Sequence, residues 1–490
     1  MIPGELVPLV AVGVPLAGTL GLTLLPEIAD RRRNCWTVSC SLAVAVAVAV
    51  AAVTVFRGGR VEAGPWPLVS GLAVHLRLDP LGALFALIAS SLWVLATLYS
   101  TGYMAHEDHR RRYSVFWLLS LGVTMGLAFA ANLFTLYLFY EMLTLSTYPL
   151  VVHAGSPEAA RAGWHYLGYS FAGAALVLGG FVVLAGLLGP PAFVAGGAAA
   201  LLPAGAYPAL RLAFSCLALG FAVKAAMIPL HGWLPLAMVA PTPVSALLHA
   251  VAVVKAGVFG LLRTWFSLFG PETVAALGMV TPFLTLAAIT IGLGSVLALQ
   301  QQDLKRRLAY STVSQLAYIP LGVALLSPAG VAGGLVHLIN HALMKITLFF
   351  CAGIIITQTG RTQVNQLSGV GRRLPLTMLA FAVAALGMIG VIPVNGFVSK
   401  WQLVVGALHG GEPWVLALLA ASALLNAAYY LPIVAGAFFR EGGFDPPPEG
   451  AQEAPLSMLG PVILLALACL LTGFFPGWTL GLVRAVGLGL

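Results

Sequence analysis

The sequence predicts an all-α polytopic membrane protein, and three observations carry that expectation. Sixty per cent of its 490 residues are hydrophobic and 8% are charged, against roughly 25% charged in an average soluble domain. Apolar stretches of about 20 residues, the length a membrane-crossing helix needs, follow one another almost without pause. Basic residues gather in alternate connections between those stretches, the pattern that marks the cytoplasmic side of a membrane protein.

We read about fourteen crossings by that length criterion. They fall near 4–25, 35–56, 80–102, 113–130, 132–153, 163–187 and 207–237, then 242–266, 274–299, 307–327, 331–357, 374–408, 413–439 and 456–482. The first lacks a basic leader and a small-residue cleavage site, so it is expected to stay as a helix rather than be removed as a signal peptide. The Ala-Val alternation at 43–52 has the period of a strand, but its length and flanks favour a helix facing lipid.

Alternate connections hold Arg31 to Arg33, Arg110 to Arg112, Arg161, the run Lys305-Arg306-Arg307, then Arg361, Arg372, Arg373 and Arg440. The opposite set holds Arg57, Arg60, Arg77 and Arg263. This bias places the basic loops in the cytoplasm of a bacterial or archaeal cell and both termini outside, which requires an even helix count. It also accounts for the isoelectric point near 9.4, so the basicity is no sign of nucleic-acid binding. The longest water-facing candidate is Arg440 to Pro455. Five cysteines lie scattered without Cys-x-x-Cys spacing, and no Walker loop or dinucleotide fingerprint occurs. Neither a metal site, a disulfide framework nor a cofactor is expected, and redox chemistry would reside in a partner.

The chemistry-bearing residues are the charges inside apolar segments. A charge at a bilayer centre costs roughly 2.5–3.5 kcal/mol on insertion scales, so such residues mark functional sites by default. Four of the five lysines, Lys224, Lys255, Lys345 and Lys400, occupy such positions; Lys305 sits in a basic loop that reads as a cytoplasmic anchor. Glu141 is the acid deep within an apolar stretch. A buried amine releases its proton more readily than one in water, and an opposed carboxylate holds it. The set therefore points to a chain of protonation sites, against the plainer reading of salt bridges that lock helices together.

His249 and Lys255 are six residues apart and project from different faces of one expected helix. His337, His341 and Lys345 recur every fourth residue, which lines them on one helical face. Such a stripe can hold water and relay protons. A packing stripe is the bland alternative, and a metal site is disfavoured by the adjacent lysine and the lack of a glutamate within the pair.

An internal echo adds to this. Ile228-Pro229-Leu230-His231-Gly232-Trp233 resembles Ile392-Pro393-Val394-Asn395-Gly396-Phe397. In each, Pro229 with Gly232, or Pro393 with Gly396, is a helix-breaking pair in an apolar span. About five spans separate them, so the second break crosses in the opposite sense, and paired broken helices in inverted halves point to an ion site near the midplane.

Taken together these residues resemble the antiporter-like subunits shared by respiratory complex I, membrane-bound hydrogenases and Mrp cation/proton antiporters. The resemblance runs from about residue 75 to 440. It rests on Leu136 to Glu141, Lys224 with Pro229 to Pro235, Ala240 to Ala250, Asp303 to Gln315, His337 to Lys345, and Asn395 to Lys400. It implies fourteen helices with two inverted five-helix repeats, each with a broken helix, and a division into 1–112, 113–266, 274–440 and 441–490. It implies that Glu141 pairs with Lys224, that Lys255, His249, His337, His341 and Lys345 line a hydrated axis, and that Lys400 exchanges protons with the far side. Ile392 departs from the family, which often has a proline there. Lysine at 400 argues against one of the middle complex I subunits, and the short tail leaves no room for a lateral helix or an extra domain. The partners it implies are other membrane subunits of one complex, homologous ones among them, and a peripheral redox module where the driver is redox chemistry. A self-contained transporter of a small ion or solute, with His231 and Asn395 in its pocket, and a structural scaffold are the competing readings.

Overall fold

The computed structural model describes residues 4–24, 29–69, 71–440 and 452–487, and these are mostly helical. The amino-terminal part comprises α1 (Leu6–Leu24), α2 (Asp30–Phe56), a hairpin of β1 (Glu62–Val69) and β2 (Leu72–Arg77), and α3 (Pro80–Tyr103). Next come α4 (Arg110–Ala128), α5 (Leu133–Val151), α6 (Pro157–Leu188), α7 (Tyr207–Lys224), α8 (Trp233–Leu236), α9 (Thr242–Ala250) and α10 (Val253–Leu262). The last runs on into a π-helical turn at Arg263–Phe269. The following part holds α11 (Pro271–Ala276), α12 (Val280–Gln300), α13 (Leu304–Leu316), α14 (Tyr318–Ala324), α15 (Pro328–Thr359) and α16 (Val370–Arg373). The chain then forms α17 (Pro375–Ile389), α18 (Gly396–His409), α19 (Trp414–Phe439), α20 (Leu456–Phe474) and α21 (Pro476–Arg484). Most of the expected segment Arg440 to Pro455 lies outside the described residues.

Among the described residues, ten helical runs are long and apolar enough to cross a membrane, fewer than the fourteen stretches read from sequence. The stretches at 307–327 and 374–408 fall short because each is divided, at Ala317 and at residues 390–395. Arginines and hydroxyl-bearing residues dilute α4 and α5. Large apolar side chains remain exposed on the outer helices, among them Trp164, Phe171 and Val182 of α6 and Leu464, Leu467 and Leu471 of α20. Continuous exposed apolar faces of this kind need a lipid environment. The Ala-Val alternation of 43–52 is helical, within α2.

The all-α expectation fails at the hairpin. Gly64, Pro65 and Pro67 exclude a helix, and residues 62–77 pair as antiparallel strands instead. The hairpin is pinned to the body by a bridge from Leu76 to Ala130, and a 2.5 Å contact between His75 Nε2 and Glu62 ties its two strands together. Immediately after it, Asp79 caps α3 by accepting from the Gly82 amide at 2.8 Å. Its carboxylate also takes a two-pronged hydrogen bond from Arg263, which is buried rather than looped out as the sequence reading supposed. Burial opposes ionisation of Asp79, but the Arg263 charge and hydrogen bonds outweigh it and hold the carboxyl below the usual carboxylate range.

The helix starts follow simple chemistry. Asn132, Ser156, Asp303 and Ser327 cap α5, α6, α13 and α15 through their side-chain oxygens. On the arginine-rich face, Arg111 donates to the Leu22 carbonyl at 2.7 Å and Arg112 to the His153 carbonyl at 2.6 Å. Those bonds satisfy carbonyls at or just beyond the ends of α1 and α5 that would otherwise stay open.

At the centre lies α15, buried along nearly its whole length and packed against α9, α17, α18 and α20. Glycines let the backbone approach the interrupted helices. A Cβ on Gly257 of α10 would stand 2.3 Å from the Ala225 amide, and one on Gly473 of α20 would stand 2.0 Å from the Pro393 carbonyl. Small residues at such crossings replace the hydrophobic drive that lipid removes.

Candidate functional site

Both expected helix breaks are present, and each leaves a half-helix end inside the protein. After Lys224, the last residue of α7, the chain leaves helical geometry until Trp233. Ala226 adopts a left-handed conformation at φ 54° there, a backbone state uncommon for residues other than glycine. The second break runs from Gly390, at φ 96°, to Asn395. Carbonyls left open at a half-helix carboxyl end carry partial negative charge, and the second break directs its lysine toward such groups.

At the first break Lys224 is fully buried. Its ammonium donates to the Tyr140 carbonyl and stands 3.4 Å from the centre of the Tyr140 ring. Glu141 is the next residue on α5, and the two side chains are each other's charged neighbour. They do not form a direct ion pair, because the ammonium bonds the main chain instead. One buried carboxylate oxygen of Glu141 has no hydrogen-bond partner among the described residues.

At the second break Lys400 reaches back from α18 to the carbonyls of Met388 and Ile389, at 2.8 Å each. Its ammonium lies 5.5 Å from the Tyr318 ring centre. A cation at the carboxyl end of α17 is favoured by the helix dipole. Between the breaks, Lys255 donates to the Leu338 carbonyl at 2.7 Å. Lys345 donates to the Leu308 carbonyl at 2.9 Å, to the Ser311 hydroxyl, and to Tyr430 Oη at 3.3 Å.

The histidines connect these points. His337 and His341 share a face of α15 with ring centres 5.8 Å apart. His337 bonds Ser399 Oγ through Nδ1 at 2.9 Å and stacks on Tyr318 at 5.1 Å. His249 lies against Phe349 at 4.7 Å. Among the described residues, neither ring nitrogen of His249 or His341 finds a partner, although both side chains are fully buried. Buried polar groups of this kind are normally satisfied by internal water.

The residues match a known family. The family described as "NADH:quinone oxidoreductase/Mrp antiporter, TM" matches residues 130–425, and "NADH-Ubiquinone oxidoreductase (complex I), chain 5 N-terminus" matches residues 69–114. This chain belongs to the antiporter-like subunit family.

The chain is 34% identical over 489 residues to NADH-quinone oxidoreductase subunit N of Desulforudis audaxviator, covering 96% of this chain and 95% of that one. It is 32% identical to a component of the probable K(+)/H(+) antiporter of Rhizobium meliloti, covering 96% of this chain but only 47% of that longer protein. In shape it superposes on a chain of the Mrp complex from Dietzia sp. DQ12-45-1b with a TM-score of 0.88. That superposition covers 100% of this chain and 98% of the other at 21% identity, a likeness of fold.

Within this antiporter-like chain the structure also corrects the sequence reading. The helix expected across 242–266 is interrupted at Val251 and Ala252, so His249 ends α9 while Lys255 opens α10. They do not share one helix as supposed. Tyr140, Tyr318 and Tyr430, which contact or approach the lysines, were not singled out. An aromatic in an apolar helix reads as core, and only contact with an ammonium distinguishes these. Ser311 and Ser399 sit inside the stretches that carried the family resemblance, and hydroxyls beside a buried lysine were the available signal.

Proposed function

We propose that this chain is the proton-conducting membrane subunit of a multisubunit complex. The driver is either ion exchange, as in Mrp antiporters, or a redox module, as in complex I and hydrogenases. One observation carries the reading. Four buried ammonium groups are held by main-chain carbonyls, hydroxyls and a ring rather than by carboxylate ion pairs, with buried imidazoles between them. A lysine locked in a salt bridge keeps its proton, whereas one held by neutral groups is free to give it up and regain it.

On this reading Glu141 and Lys224 form a switchable pair, and Lys255, His249, His337, His341 and Lys345 carry protons along the middle. Lys400 exchanges them with the far side, and the breaks at Pro229/Gly232 and Pro393/Gly396 let half-helix ends reach the axis. The fold would then comprise fourteen crossings, with inverted repeats at 113–266 and 274–440, residues 1–112 before them and 441–490 after. The basic loops would face the cytoplasm, and both termini the outside. The subunit performs no chemistry alone and works beside homologous membrane subunits.

Gentle purification from native membranes, with every copurifying chain identified, separates the drivers. Iron–sulfur or NADH-oxidising partners indicate a redox pump, and small membrane partners alone indicate a cation/proton antiporter. Replacing Lys345 by alanine should then abolish proton movement in the intact complex while leaving its subunit composition unchanged. Normal proton movement in that variant would overturn the reading.

A further inference from the structure

The axis described above needs a connection to water, and one polar cavity on the arginine-rich face is placed to supply it. Its volume is about 330 Å³, and its walls come from several elements: Glu107 before α4, His153 after α5, Glu158 of α6, and Asp303, Lys305 and Arg306 around the start of α13. Arg306 and Glu158 face each other at 3.9 Å, both substantially exposed. Asp303 is engaged as the cap of α13, accepting from the Arg306 amide at 2.8 Å. Lys305 behaves differently from its neighbours. It turns inward, and its ammonium donates to the Ala240 carbonyl at 2.6 Å.

That carbonyl stands just before α9, the helix that carries His249. Ser245 Oγ donates to the same carbonyl at 3.3 Å, and Thr242 Oγ1 donates to Tyr103 Oη at 3.2 Å. Thr242, Ser245 and His249 recur at i, i+3 and i+7, which puts two hydroxyls and the imidazole on one face of α9. At 1.5 Å per residue the rise from Thr242 to His249 is about 10 Å. Three or four hydrogen-bonded water or hydroxyl oxygens span about that distance at their usual spacing. His249 ends this face of α9, so the helix runs from the Lys305 contact at Ala240 to the axis.

We propose that this cavity is the proton port of the arginine-rich face, with Lys305 as its proton-exchanging group and Ser245 and Thr242 as steps to His249. The inference rests on the proton-axis reading above. Each transfer is a hop: Lys305 passes an N–H proton inward and regains one from cavity water, and each hydroxyl accepts one proton as it donates another.

The test uses the full chain in its native complex, in inverted membrane vesicles with a pH-sensitive dye, alongside Lys224→Ala as a control. Lys305→Ala should slow proton movement by about 10²–10⁴-fold, as loss of a group that performs the transfer itself does, and Ser245→Ala on the order of tenfold. Lys305→Arg is the decisive variant. Arginine can replace the contact to Ala240 but does not deprotonate in proteins, so this variant should assemble normally and remain slow. Full speed in Lys305→Arg would reduce Lys305 to an anchor, and full speed in Ser245→Ala would remove the route along α9. If Lys224→Ala is inactive while those variants run normally, the port alone is wrong. If Lys224→Ala is also fully active, the axis itself is wrong.

Discussion

The two helix breaks look alike in sequence and hold their lysines in different ways. Lys224 rests on the face of Tyr140 with the carboxylate of Glu141 as its charged neighbour. Among the described residues no carboxylate pairs with Lys400, which is held by two carbonyls at the end of α17. An ammonium with an acid beside it has two electrostatic states, near the acid or drawn away from it. One held only by a helix end has a single position and can change its proton but not its partner. On the proposed reading the first break therefore serves coupling, and the second exchange with the far side.

The largest effect expected from that difference is at the first break. Lys224→Ala and Glu141→Gln should each reduce proton movement in vesicles by about a hundredfold or more, as removal of a proton-transfer group does. If the two residues act as one unit, the double variant should be scarcely worse than either single one. Fully additive losses would show that Glu141 and Lys224 work independently and would end the comparison.

Lys400→Ala should also block transport, but no carboxylate beside it should show the non-additive pairing expected of Glu141 with Lys224. Lys400→Arg keeps the contacts to Met388 and Ile389 without a removable proton. It should assemble normally and transport more slowly by about a hundredfold or more, since arginine does not deprotonate in proteins. Normal rates in Lys400→Arg would recast this lysine as a clamp between α17 and α18.

How much of this was legible follows from cost. A charge in an apolar segment is expensive enough that Lys224, Lys255, Lys345, Lys400 and Glu141 stand out of the sequence unaided. Pro229 and Pro393 announce both breaks, because proline cannot complete a helix. The interruption at Val251 and Ala252 was invisible because neither residue resists a helix; packing imposes it. Pairing of Glu141 with Lys224 was expected from the family resemblance, and the ammonium's hydrogen bond goes to the Tyr140 carbonyl, which no pattern advertises.

The glycines extend the comparison to stability. A Cβ at Gly396 would stand 1.8 Å from the Gly387 carbonyl, a backbone atom that cannot step aside. A Cβ at Gly232 would meet the Tyr169 hydroxyl at 2.8 Å, the far end of a side chain. Gly396→Ala should therefore destabilise the second break by about 1–3 kcal/mol, the usual range for overpacking. Reduced recovery of assembled complex and a lower melting temperature would report it. Gly232→Ala should assemble near normally. Equal losses would mean that both breaks are packed alike.

The smallest effects should come from the aromatic rings, and they bear on how each lysine is held. Tyr140→Phe removes a 3.2 Å hydrogen bond to the Gly220 carbonyl but leaves the ring beneath Lys224. The loss is worth about 1 kcal/mol and should change transport only a few-fold. Tyr140→Leu removes the ring as well, and with it a cation–π attraction of about 0.5–2 kcal/mol that opposes release of the lysine. Tyr318→Leu should disturb Lys400 less, because that ring centre is 5.5 Å away rather than 3.4 Å. If Tyr318→Leu slows transport as much as Tyr140→Leu, the ring at the second break acts through His337, on which it stacks, and not through the lysine.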